Sequence, residues 1–198
     1  MRFVAFLCAV FCATTMLPAI ALGASDLVDD RGLCVELGGR GTWTPRDKPA
    51  SRFYAQEFLR KADLNVGDIL ICQSRKSPVW SFLFKRKGNM VFVIGLSRDF
   101  SSAQSEHMRA WMAHEVAHWV PRGKDACQNS RSMTEEEMDI RCEHEIDRIA
   151  AGWVGKPAML AALYGMRDYL LDMKERTRLA RRIALLEAVS DLRLPAIM

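Results

Sequence analysis

The polar and apolar positions divide this chain into three stretches of different character. Arg2 is followed by an uncharged run over 3–24, which gives way to the polar, acidic segment Ser25-Asp26-Leu27-Val28-Asp29-Asp30. A basic start, an apolar middle and the small residues Ala19, Ala21, Gly23 and Ala24 predict a secretory signal peptide over 1–24. Pro18 suits a processing site better than a continuing helix. The rival is an uncleaved anchor, since about 20 apolar residues can span a bilayer. No later run is long and apolar enough to do so.

Residues 25–48 carry Gly32, Gly38, Gly39, Gly41 and Pro45 and read as an irregular lead-in. Phe53, Tyr54, Phe58 and Leu59 recur with helical spacing and predict a short helix over 50–62. Three strands are expected at 68–72, 79–84 and 90–96, the last two joined as a β-hairpin through Lys85-Arg86-Lys87-Gly88-Asn89. From there the pattern is helical. Ser101 and Gln104 form a capping box opening a helix near Ser102 that buries Met108, Trp111, Met112 and Trp119, with Pro121 and Gly123 stopping it. Thr134-Glu135-Glu136-Glu137 opens a second helix, expected to end near Ala151 before Gly152. Two amphipathic segments, 158–173 and 176–190, complete the pattern. The expected class is α+β: a small antiparallel sheet or hairpin, then a helical bundle, in one domain over 25–198.

Composition narrows the function. The chain has 198 residues, 49% hydrophobic and 26% charged, which excludes a disordered, collagen-like or polytopic membrane protein. A formal charge of +4 with no concentrated basic face gives no reason to expect a nucleic-acid partner. Cys8 and Cys12 would leave with the signal, so the mature chain keeps Cys34, Cys72, Cys127 and Cys142. An even count in an exported, periplasmic or secreted protein suggests two disulfides, for which three connectivities exist. We expect Cys127 to bond Cys142, closing a loop of about 15 residues worth on the order of 3 kcal/mol, and Cys34 to bond Cys72. A zinc site using Cys127 and Cys142 is the rival.

The chemistry lies in His114-Glu115-Val116-Ala117-His118. A spacing of four on a helix puts both imidazoles on one face, as two ligands of one zinc ion require, while Glu115 can reach a water beside it. All four histidines, His107, His114, His118 and His144, fall in this part of the chain. No histidine follows His118 at the spacing that would complete a metzincin set. A third ligand can come from Glu143-His144-Glu145-Ile146-Asp147 in the next helix. Glu143 and Asp147 share a face there, so Glu143 can ligate while Asp147 accepts a hydrogen bond from a ligand histidine. The alternatives are a solvated acidic face, or His144 as ligand, which points about 100° away from Glu143. His107 lies about 10 Å back along the helix, too far for the same ion, and reads as a rim or surface residue. The charged run over 174–182 reads as a solvated helix face.

The segments over 108–118 and 143–150 resemble the gluzincin metallopeptidases of the CAAX-prenyl-protease/HtpX type, with a weaker likeness over 68–96 and 182–186. The resemblance implies a zincin-like fold, one Zn²⁺ held by His114, His118 and Glu143, and Glu115 as general base. Many members also carry a histidine before the segment matched by Arg182-Ile183. Here Lys174-Glu175-Arg176-Thr177-Arg178-Leu179 has none, leaving Tyr164, Arg148 or Arg167 as weak candidates to steady an oxyanion. The expected activity is an exported zinc endopeptidase acting on protein or peptide, with substrate paired along the edge of the 90–96 strand. Membrane contact follows only if the signal stays uncleaved. The alternatives are a non-hydrolytic zinc-binding or chaperone-like module, or an amidase of cell-wall peptides.

Overall fold

Alternating side chains along the strands decide how the layers stack. In the computed structural model, residues 32–34, 44–45, 49–74, 80–97, 105–128, 133–167 and 173–189 are described. The expected signal peptide over 1–24 and the expected cap over 101–104 lie outside them. Four strands form one sheet: β1 (Thr44–Pro45), β2 (Asp68–Ser74), β3 (Trp80–Arg86) and β4 (Asn89–Ser97), in the order β1-β2-β4-β3. Ile69 and Ile71 of β2 and Phe92, Ile94 and Leu96 of β4 face the main core. Their alternates Leu70, Cys72, Val91 and Val93 face a second, smaller cluster with Leu33 and Cys34. The Cys34–Cys72 disulfide fastens residues 32–34 to that second face.

The sheet is mixed, not antiparallel as expected. β3 and β4 form the anticipated hairpin, turning through Lys87 (φ 49°) and Gly88 (φ 84°), the two positive φ values of a tight two-residue hairpin turn. β2, however, runs parallel to β4, pairing Ile69 with Phe92 and Ile71 with Ile94. β4 is therefore flanked on both sides, and the edges among the described residues are β3 and the two-residue β1. The expectation that the 90–96 strand offers a free edge is corrected: chain order is not sheet order, and both faces of β4 carry buried residues as a central strand's do.

The helices are α1 (Pro49–Lys61), α2 (Ser105–Ala117), α3 (Pro121–Ala126), α4 (Glu135–Val154), α5 (Lys156–Arg167) and α6 (Met173–Ala188). Residues 110–117 of α2 are all buried, so this helix is the axis of the molecule, packed by α1, α4, α5 and β3. Pro121 does not stop α2, which already ends at Ala117; it opens α3, where its missing N–H costs nothing. Gly123 is required there, because a Cβ would collide with the Ala117 carbonyl oxygen and Ile146 Cδ1. The Thr134 capping box is present, Glu137 N donating to Thr134 Oγ1 at 3.2 Å and Thr134 N to Glu137 Oε2 at 2.9 Å. α4 runs through Gly152 and terminates at Gly155, φ 92°. Packing outweighs the roughly 1 kcal/mol that a mid-helix glycine costs.

Candidate metal centre

His114 of α2, His118 just beyond its last residue and Glu143 of α4 converge. One ligand-type atom from each of His114, His118 and Glu143 lies within 4.8 Å of the others, and the three could hold a metal ion. Helical spacing aligns the imidazoles, their ring centroids 5.0 Å apart. His114 Nε2 and His118 Nε2 lie 3.3 and 3.7 Å from the two carboxylate oxygens of Glu143. Glu143 is 2% exposed, so the reading of 143–147 as a solvated acidic face fails for it and for the fully buried Asp147. Glu145 takes the outward position and pairs with Arg122 and Arg148. His144, which stands outside the converging group, is held below its usual range by burial.

The fit to a cation can be tested on the polar atoms themselves. Both oxygens of Glu143 and Nδ1 of His118 are buried and have no aligned hydrogen bond among the described residues. A carboxylate left so would be costly unless a cation meets it. Glu143 does have charge contacts, chiefly Arg182 Nη1 at 3.0 Å. The donor set of two imidazoles and a carboxylate therefore fits a divalent ion.

Hydrogen bonding fixes which nitrogen of His114 faces inward. Despite burial, the nearby Arg182 and His114 hold Asp147 below the usual carboxylate range, so it is ionised and accepts. His114 Nδ1–H donates to Asp147 Oδ1 at 2.9 Å, turning Nε2 toward Glu143. Burial disfavours an imidazolium at His114, but Asp147 and Glu143 outweigh it and raise the pKa to about 9. The same field favours any cation at this point. His118 is pushed down to about 4, chiefly by burial, and so is a neutral donor at pH 7. Burial lifts Glu115 to about 6 against the pull of His114.

Arg182 is the residue that sequence reasoning missed. Its Nε donates to Asp147 Oδ2 at 2.9 Å and Nη2 to Asp147 Oδ1 at 2.8 Å, while Nη1 reaches Glu143. The reading of 174–182 as a solvated face is thus corrected for Arg178 and Arg182, both buried; Arg178 pairs with Asp139 at 3.1 Å. A signal existed: the two arginines are four apart and in phase with the buried Leu179, Ile183 and Leu186. The weak oxyanion candidates are occupied elsewhere. Tyr164 donates to Glu187 at 2.6 Å and Arg167 lies over its ring, while Arg148 holds Glu145. His107 lies against Gly165 and is not part of the converging group. A groove of about 580 Å³ near Arg52, Arg60 and Asp68 contains none of these residues.

The site is tied to the sheet edge through Ser81 of β3, whose Oγ donates to the Glu115 carbonyl at 3.2 Å and accepts from Trp119 Nε1 at 3.0 Å. On its other flank Cys127 and Cys142 are bonded, as expected, joining the end of α3 to the turn of α4 that carries Glu143. That bond ties up the sulfurs that the rival cysteine site would use. Both disulfides are consistent with an oxidising, exported compartment, and no described helix is long and apolar enough to cross a membrane. Comparison with family models, curated proteins and solved structures returned no match to this chain.

Proposed function

We propose that the chain is an exported zinc endopeptidase with a zincin-like site. The observation that carries this reading is the convergence of His114, His118 and Glu143 beside a buried Glu115. A zinc ion there would supply Lewis acidity, polarising a peptide carbonyl and acidifying a water.

The chain's own groups do the rest. Glu115, with a pKa near 6, accepts the proton of the attacking water and returns it to the leaving amine, a role suited to a group poised near neutral pH. Asp147 keeps His114 in the tautomer that presents Nε2. Arg182 holds Glu143 and Asp147 in place from α6. Ser81 of the edge strand β3 donates to the Glu115 backbone carbonyl, so an extended substrate paired with the backbone of β3 would lie beside the helix that carries Glu115. Such pairing reads little of the side chains and favours tolerance of sequence.

The test is hydrolysis of a mixed peptide library by the purified mature protein. Activity should vanish on chelation and return with zinc. Tight zinc binding without cleavage would support a non-hydrolytic module, and cleavage of muropeptides alone would make the enzyme a cell-wall amidase.

A further inference from the structure

His118 belongs to two groups of donors. Besides the set with His114 and Glu143, a ligand-type atom of His118 lies within 4.8 Å of both Cys127 Sγ and Cys142 Sγ. The sulfurs are bonded to each other, so in the oxidised protein only the first set can act. Cys142 directly precedes Glu143 on α4, so one helical turn offers His118 either a carboxylate or a sulfur.

We propose that reduction of Cys127–Cys142 creates a second zinc site, made by the two thiolates and His118, which competes with the first for the same imidazole. Two thiolates on a tetrahedral zinc, at about 2.3 Å each, stand about 3.8 Å apart. Cys127 ends the six-residue helix α3 and needs only a local movement to open to that spacing. Thiolates are softer donors than a carboxylate, so zinc shifts toward them.

The chemistry requires a dithiol reductant. One of its thiolates attacks Cys127, which is partly exposed whereas Cys142 is buried, forming a mixed disulfide and releasing the Cys142 thiolate. Its second thiol then displaces Cys127, and the reductant departs as a disulfide. Two electrons and two protons have passed to the cysteines; the protons leave when the ion binds. Cys34 and Cys72 are both fully buried, so this bridge opens first. The consequence for hydrolysis rests on the peptidase reading: drawing His118 and the ion away from Glu143 silences the enzyme reversibly.

Cobalt(II) added to the full mature chain, without air and with a phosphine reductant, tests the site without reference to activity. Thiolate-to-cobalt charge-transfer absorption should appear on reduction at one ion per chain and be absent from the oxidised protein. Alkylation mapping should find free thiols at Cys127 and Cys142 while Cys34–Cys72 stays bonded. Their release with no thiolate–cobalt absorption would overturn the proposal, as would absorption that persists undiminished in Cys142→Ser. In the zinc-loaded enzyme, reduction should lower peptide hydrolysis at least tenfold, with recovery on reoxidation. Unchanged hydrolysis would overturn the competition. The cobalt signal in a protein that cleaves nothing in either state would support the second site while refuting the peptidase reading.

Discussion

The two sides of α2 are built by different chemistry. Met108 and Met112 join Phe92, Ile94 and Leu96 of the sheet in one apolar cluster. Toward α4 and α6, His114, Glu143, Asp147 and Arg182 are equally buried but are held by directed bonds. Apolar packing is graded: losing a methyl group costs a fraction of the whole. A buried charge network is all-or-none, since removing one member leaves another charge uncompensated. A single helix thus contributes both to the apolar cluster and to a buried charged site.

The largest contrast should come from Arg182→Met. It removes the guanidinium that Asp147 and Glu143 share and should cost about 3–5 kcal/mol, whereas Ile94→Val in the apolar cluster should cost about 0.5–1.5 kcal/mol. Urea unfolding with chelator present compares them. Equal losses would erase the distinction between the two sides. A smaller effect, confined to the ion, is expected of Asp147→Ala. Freeing His114 from its hydrogen bond should weaken zinc affinity roughly 10–100-fold, while Ile94→Val leaves affinity unchanged; competition with a chromophoric chelator measures both.

Thr134→Ala removes the cap of the α4 helix and should cost about 1 kcal/mol in the same unfolding assay without altering zinc affinity. The smallest effect lies away from both sides, at Glu57. Its bond to Arg109, 2.6 Å, holds its pKa down from 4.5 to about 2 despite some burial. A depressed carboxylate stabilises the fold above its unfolded pKa and loses that contribution as pH falls. The melting difference between wild type and Glu57→Gln should therefore be constant above pH 4.5 and fade toward pH 2.

What could be read in advance follows the same division. The spacings His114–His118 and Glu143–Asp147 are helical periods, so the candidate ligand set was legible once both segments were taken as helices. The disulfide pairing was legible because Cys142 adjoins Glu143 and Cys127 lies in the connection before it. Arg182 was legible only in its phase with Leu179, Ile183 and Leu186; its role was not, because a run such as Arg176-Thr177-Arg178 reads as solvent-facing until a buried carboxylate is known to wait opposite. Strand order was hidden as well: β2 joins β4 in parallel across an intervening strand, a pairing that local periodicity does not contain. Pro121 has one meaning as a stop and another as a first helical residue, and the choice depends on where α2 has already ended.

The central claim is that His114, His118 and Glu143 hold zinc while Glu115 handles only the proton. Zinc content and peptide turnover of Glu115→Gln, measured on one preparation, test it most directly. The account predicts one zinc ion per chain, as in the wild type, with turnover reduced by about 10²–10⁴-fold or more. Loss of the metal together with activity, or retention of full activity, would contradict it.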